Sequence, residues 1–204
     1  MTHKEDKREL IKDKSLILFS ERGFEATSIR QIAQASNINI AMISYYFGSK
    51  EHLLEEIIKD KLGVIKLYEK DIIFNNNNSE QNLEIFIKNL IEKFIQNTAF
   101  YNLLHSELVI KQRVFSGETY YTVKQHNEAI LQKIIASGIA EGLFRLTPTI
   151  SVIQAFIIGP YINFILNRRY YSNIAEPGTD DSFDRYIRDV LVPNIIKSTI
   201  SLLK

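Results

Sequence analysis

The sequence predicts an all-α protein of about nine helices, with a three-helix group at the N-terminus and a helical bundle after it. Apolar residues recur three and four positions apart through nearly the whole chain, which is the spacing of one face of a helix. Only 8 glycines and 4 prolines occur in 204 residues, and this favours long helices over many tight turns. No stretch of the sequence alternates between apolar and polar residues as a half-buried strand would.

The N-terminal group is predicted from helix-ending and helix-capping residues. Its three helices are expected at residues 4–22, 28–35 and 40–47. Gly23 is typical of a helix end, and Ser28 with Gln31 has the spacing of a capping box. Asn37 tolerates a left-handed backbone in the turn that follows, and Asn39 can cap the third helix. Two short helices joined by a turn of about four residues are typical of a helix-turn-helix.

The remaining helices are longer. A fourth helix, capped by Ser49, is expected from Lys50 to about Lys70, and the asparagine run 75–78 is expected to be a linker. Further helices are predicted at residues 80–96, 98–115, 119–141, 148–170 and 181–203. Thr147 and Pro148 suit the start of the fourth of these, and Pro193 is expected to kink or split the last.

Composition argues against several classes of function. The chain has no cysteine and four isolated histidines, so we predict neither a metal site nor a cofactor. No glycine-rich phosphate loop and no Gly-x-Ser-x-Gly motif occurs, and an enzyme is not expected. The charged N-terminus does not suit a secretory signal, and polar residues interrupt the most apolar stretch, 150–166. We therefore expect a cytoplasmic protein with no membrane partner.

In a helix-turn-helix the second helix enters the DNA major groove, with its first residues against the base edges. Ile43 and Phe47 are four residues apart and are expected to pack inward together. The net charge of +1 does not itself indicate a nucleic-acid partner, but a small module needs only a local basic surface. The residues expected to face solvent or DNA are Ile40, Ala41, Met42, Ser44 and Tyr45.

The segment that ends in Tyr45-Tyr46-Phe47-Gly48-Ser49-Lys50-Glu51-His52-Leu53-Leu54 resembles the TetR family of repressors. Earlier matching residues are Ile11, Leu18-Phe19, Gly23-Phe24, Ala26-Thr27-Ser28-Ile29, Ile32-Ala33 and Ile38. The resemblance implies a DNA-binding domain at 1–48 and a ligand-binding and dimerisation domain at 49–204. It also implies a homodimer, a roughly palindromic double-stranded DNA operator and an unknown small-molecule effector that releases the repressor.

The resemblance assigns roles to matching positions. Thr27 or Ser28 would contact the phosphate backbone, and Tyr45, Tyr46 and Lys50 match other phosphate-contacting positions. The base-reading end of the recognition helix corresponds to Asn39, Ile40, Ala41 and Met42. Two residues depart from the family pattern, since Ile40 replaces a basic or polar residue and Ser44 replaces a tyrosine. The first departure suggests contact of Ile40 or Met42 with thymine methyl groups in place of a guanine contact.

The C-terminal half has many aromatic residues, which either line a ligand pocket or fill a core. The candidate pocket residues are Phe94, Tyr101, His105, Tyr121 and Phe156. The family dimerises through its last two long helices, where the apolar residues exceed what one buried side needs. The candidate interface residues are Ile153, Ile157, Tyr161, Phe164, Val190 and Leu191.

Two other functions stay open at this point. A helix-turn-helix can serve as an adaptor that binds protein, and a regulator of this kind can be controlled by a partner protein. If a small molecule controls the protein, we expect this effector to tilt the long helix that starts near Lys50. The two recognition helices of a dimer would then no longer match successive major grooves.

Overall fold

The structure, a computed structural model, describes residues 3–74, 76–107, 117–145, 149–171 and 180–204. Within these ranges the regular structure is entirely helical, as predicted. The helices are α1 (His3–Arg22), α2 (Ile29–Ala35), α3 (Ile40–Phe47), α4 (Lys50–Val64), α5 (Ser79–Gln96), α6 (Thr98–His105), α7 (Gly117–Ala140), α8 (Ile150–Leu166), α9 (Arg168–Tyr171), α10 (Asp180–Tyr186) and α11 (Val192–Leu203). No helix in the described part of the chain is both long and apolar enough to cross a membrane.

The chain divides into two compact units, one of residues 1–65 with 97–123 and the other of residues 66–96 with 124–204. The first unit contains α1 to α4 and α6 around one apolar core. Gly23, at φ 83°, ends α1 in the left-handed region that favours glycine. The largest side chains buried in this core are Phe19, Phe24, Phe47, Phe100, Ile11, Ile32, Ile43 and Leu53.

Three ion pairs connect α1 to α4 within the first unit. Arg8 donates to both carboxylate oxygens of Glu56 at 2.5 and 2.6 Å, Lys12 pairs with Asp60, and Asp13 lies 3.5 Å from Lys61. Each pair joins residues 48 positions apart, so the two helices run parallel in constant register. Burial of Lys12 opposes its charge, but hydrogen bonds to Asp60 and Glu9 outweigh burial and raise its pKa.

In the second unit α11 packs on α5 and α8, and the last part of α7 adds Ile130, Leu131 and Ile134 to the core. Side chains of α7 also hold the segment that leads to α5. Asn127 Oδ1 accepts the Leu67 N–H at 3.0 Å, and the His126 ring lies 2.9 Å from the Leu67 carbonyl oxygen. Side chains of α7 therefore supply the hydrogen bonds that the backbone of a regular helix would supply to this segment.

Several helix boundaries differ from the prediction. The fourth helix ends at Val64, about six residues early, and a 3-10 turn follows at Glu69–Asp71. The predicted helix 98–115 begins as α6, whose last residue is His105, and residues 108–115 of the prediction lie outside the described residues. The last helix is split as expected, because the π-helical segment Ile187–Leu191 precedes α11, where Pro193 is the second residue. Thr147, Pro148 and part of the asparagine run lie outside the described residues.

Candidate nucleic-acid interface

Helices α2 and α3 each begin at a side-chain cap. Ser28 Oγ accepts the Gln31 N–H at 3.3 Å, and Gln31 Oε1 accepts the Ser28 N–H at 2.7 Å. Asn37 is left-handed at φ 53°, and Asn39 Oδ1 accepts the Ala41 N–H at 2.9 Å. The predicted caps are confirmed, α3 has the predicted bounds, and α2 begins one residue later than predicted. Because these bonds are local, they fix where α2 and α3 begin without help from distant residues.

Helix α3 has one buried face and one exposed face. Ile43 and Phe47 are buried at 1% and 2% exposure, as predicted. On the other face Ile40 is 48% exposed and Tyr45 is 71% exposed, whereas Met42 and Tyr46 are partly covered. Asn39, Ala41 and Ser44 are also exposed. No residue of α3 is charged, so the exposed face offers alkyl groups, hydroxyls and aromatic edges.

Thr27 and Lys50 hold the α1–α2 loop against the start of α4. The Thr27 side chain is buried at 0% exposure, and its hydroxyl donates to the carbonyls of Gly23 at 2.9 Å and Leu18 at 3.3 Å. Lys50 Nζ donates to the carbonyls of Phe24 at 2.9 Å and Thr27 at 3.0 Å. The Thr27 hydroxyl thus faces inward, which is not the phosphate-facing placement that the resemblance implied. Ser28, the alternative named beside Thr27, is exposed.

Lys50 has a third contact that sequence reasoning did not anticipate. Its ammonium lies 4.2 Å from the centre of the Phe24 ring, a cation–π distance. Two carbonyls and one ring therefore already surround this cation at the first turn of α4. Ser49 caps the same turn by accepting the His52 N–H at 3.1 Å, as predicted.

Aromatic and basic side chains connect α3 to its neighbours. The Tyr45 and Tyr46 rings meet edge to face with centres 5.3 Å apart. Arg8 lies 5.4 Å from the centre of the Phe47 ring and is also the partner of Glu56, so one side chain links α1, α3 and α4. Arg30, an exposed cation in the first turn of α2, was not among the predicted site residues. The sequence could have indicated Arg30 through its position two residues after the predicted helix cap Ser28.

The five predicted pocket residues are divided between the two units, and their assignment to a pocket stays a prediction. Tyr101, His105 and Tyr121 belong to the first unit, and Phe94 and Phe156 belong to the second. Phe94 is buried 5.4 Å from the Tyr161 ring, whereas Tyr121 and Phe156 are 61% and 50% exposed. A shallow cavity of about 210 Å³ in the second unit contains none of the five. It is lined by Leu67, Tyr68, Asp71, Ile72, Asn89, Glu92, Lys93 and Gln96.

The predicted interface residues are divided between core and surface. Ile153, Ile157, Tyr161 and Leu191 are buried within the chain itself. Phe164 is partly buried and stacks on the Tyr171 ring at 3.9 Å, while Val190 is 40% exposed. Other apolar residues of α8 face outward, and the sequence did not separate them from the buried ones because apolar residues occur on both sides of this helix. The outward-facing residues are Val152, Phe156, Ile162 and Leu166.

Comparison with known proteins gives matches in both sequence and fold. The model of a family described as bacterial regulatory proteins, tetR family, matches residues 11–57. The biofilm operon icaADBC HTH-type negative transcriptional regulator IcaR of Staphylococcus aureus is 29% identical over 143 residues, which are 69% of this chain and 73% of that protein. The matched family segment includes all of α2 and α3 and the first half of α4.

Two solved structures extend the likeness over nearly the whole chain. The TetR family regulator PfmR from Thermus thermophilus is 24% identical, covers 92% of this chain and 97% of its own, and has a TM-score of 0.67. The regulator FadR from Bacillus subtilis in complex with stearoyl-CoA is 16% identical, covers 96% and 99%, and has a TM-score of 0.65. At these identities the two structures establish a shared fold.

Proposed function

We propose that the chain is a bacterial transcriptional regulator of the TetR type, a repressor that a small-molecule effector releases from its operator. In this proposal the chain acts by binding DNA and not as an enzyme. The observation that carries the proposal is the capped α2–α3 pair, which exposes an uncharged face of α3 on a rigid support. The negative regulation named for IcaR supports the choice of repression.

We assign base contacts to the first turns of α3 and phosphate contacts to residues that flank this end of the helix. Ile40 and Ala41 lead the base-reading end, with Asn39, Met42 and Ser44 beside them. Ser28, Tyr45 and Tyr46 carry hydroxyls suited to phosphate oxygens, and the exposed Ser28 hydroxyl would exchange its 2.8 Å bond to Gln31 Oε1 for a phosphate oxygen. Thr27 and Lys50 act by holding the loop that presents Ser28, because their polar groups already bond to the protein.

The effector-release part of the proposal rests on how α4 begins. Two residues separate it from α3, and Lys50 fastens its first turn to the loop before α2. A tilt of α4 would therefore move the whole helix-turn-helix. FadR, a protein of the same fold, was solved with stearoyl-CoA, which supports an organic effector here. Phe94 and Tyr101 keep at least the partial burial that a ligand-lining residue needs.

We further propose that the functional chain is a homodimer joined through the outer side of α8. Val152, Phe156, Ile162 and Leu166 leave a continuous apolar strip exposed on a helix whose other side fills the core. A two-fold pair would cover this strip and would require a roughly palindromic operator. Residues 1–48 would then serve DNA binding and residues 49–204 effector binding and dimerisation, in the cytoplasm where the DNA is.

The proposal is tested with duplexes selected from a randomised pool. Binding of the purified protein is followed by fluorescence anisotropy against added salt and excess unrelated duplex. We expect selected duplexes to share a two-fold symmetric site, and affinity to fall steeply with salt but to survive the competitor. A protein-binding adaptor would enrich no sequence from the pool, and that outcome would reject the proposal.

A further inference from the structure

We infer that α3 recognises its operator by contact of Ile40 and Ala41 with the C5-methyl groups of thymines, with no side chain of α3 reading guanine or adenine. The inference rests on the proposed DNA-binding function and adds the chemistry of the bases that are read. It follows from which side chains α3 exposes, and from which of their polar atoms are already bonded.

The residues of α3 exclude most kinds of direct readout. In the major groove arginine or lysine reads guanine, asparagine or glutamine reads adenine, and carboxylates read cytosine. Helix α3 has the sequence IAMISYYF and contains none of these residue types. An alkyl group against a thymine methyl is the specific contact open to Ile40 and Ala41, whereas the Ser44 hydroxyl can bond to more than one base and specifies little.

Asn39 is the one residue beside α3 that could read adenine, and its cap prevents this. A bidentate adenine contact needs the side-chain oxygen to accept from the base while the nitrogen donates. Asn39 Oδ1 already accepts the Ala41 N–H at 2.9 Å and so starts the helix. Turning the amide toward a base would leave that N–H at the helix N-terminus without its partner.

The exposed hydroxyls of α3 lie further along the helix than the apolar residues. Ser44 and Tyr45 follow Ile40 by about one turn, and a recognition helix meets base edges with its N-terminal residues. Ile40, at 48% exposure, and exposed Ala41 occupy that N-terminal end. Ile40 is available to a partner because Ile43 and Phe47 form the buried face in its place.

The test removes single methyl groups from the DNA. Each thymine of a selected operator is replaced in turn by deoxyuridine, which keeps all hydrogen-bonding groups and lacks only the C5-methyl. Burial of one methyl-sized group predicts that affinity falls about fourfold at each contacted thymine. We expect one or two such positions in each half-site and no change at thymines elsewhere.

Protein variants then connect the effect to α3. With Ile40→Ala the operator affinity falls, and deoxyuridine at the thymine that Ile40 contacts causes no further loss. The matched control is Ser44→Ala, on the same exposed face, for which the fourfold deoxyuridine effect persists. Circular dichroism of Ile40→Ala should match the wild-type protein, because the replaced side chain is half exposed.

The outcomes separate this inference from the proposed function. If an operator is selected but deoxyuridine has no effect at any position, base reading by methyl contact is overturned while DNA binding stands. A deoxyuridine effect of the same size in Ile40→Ala and wild type also overturns it. If no duplex is enriched from the pool, the proposed function and this inference are both rejected.

Discussion

Replacement of Lys50 by methionine separates a loop-holding role from a phosphate-binding role. The variant loses two hydrogen bonds to carbonyl oxygens and a cation–π contact, while the alkyl stem keeps its length. Hydrogen bonds from charged groups contribute about 1.5–3 kcal/mol each when well shielded. Because Lys50 is partly exposed, water can replace part of these contacts in the variant. We therefore expect the free energy of unfolding to fall by about 2 kcal/mol. For a chain of this length the midpoint of thermal unfolding should fall by about 4–8 °C.

The same variant is then titrated against operator DNA at several salt concentrations. A cation that neutralises a phosphate contributes about 0.9 to the slope of log affinity against log salt, or about 1.8 for a dimer. If Lys50 acts by holding the loop, the affinity falls by a similar factor at each salt concentration and the slope stays unchanged. Hydrogen exchange of the amides at residues 24–28 should become faster in the protein without DNA.

Two further variants control this experiment. Lys59→Met removes an exposed cation from α4 and should leave both the thermal midpoint and loop exchange unchanged. Lys50→Arg keeps the charge but not the compact ammonium that fits between two carbonyls, so it should resemble Lys50→Met in loop exchange. The reasoning is refuted if Lys50→Met lowers the salt slope by one or more while stability and exchange remain those of the wild type.

Three other substitutions test the packing and the assembly. Ser15→Ala should raise the free energy of unfolding by about 1 kcal/mol in urea titrations, because the buried Ser15 hydroxyl has no hydrogen-bond partner among the described residues; a loss of stability would contradict this. Gly138→Ala should lower it by about 1–3 kcal/mol, since an added Cβ would lie 2.1 Å from the Phe144 ring. Gly63→Ala is its control, because in the described part of the chain an added Cβ there has no atom within 4 Å beyond its own helix backbone and chain neighbours, and equal losses would argue against the explanation. Phe156→Asp should give monomers in analytical ultracentrifugation whereas Ile139→Asp, which replaces an equally exposed apolar residue of α7, should not. An intact Phe156→Asp dimer would reject the α8 interface.

Features fixed by neighbouring residues could be predicted from the sequence, and features fixed by distant ones could not. The Ser28–Gln31 box and the Asn39 cap span two or three positions, and both were predicted correctly. The partners of Lys50 lie 26 and 23 positions away, and no local pattern indicates them. Periodicity identified α8 as an apolar helix. It did not show that Ile153 and Ile157 face the core while Phe156 faces outward, because apolar residues occur on both sides.

The α1–α4 ion pairs determine how a salt titration of this protein should be read. High salt weakens exposed pairs such as Asp13–Lys61, but it screens a largely buried cation such as Lys12 much less. Lys12 and the apolar core that contains Ile11 and Ile57 therefore keep α1 against α4 through the range of the titration. Because Phe47 is buried in the same core, α3 keeps its support over the same range. A steep loss of operator affinity with salt then reports phosphate contacts, and a displacement of α4 by an effector would carry α1 and α3 with it.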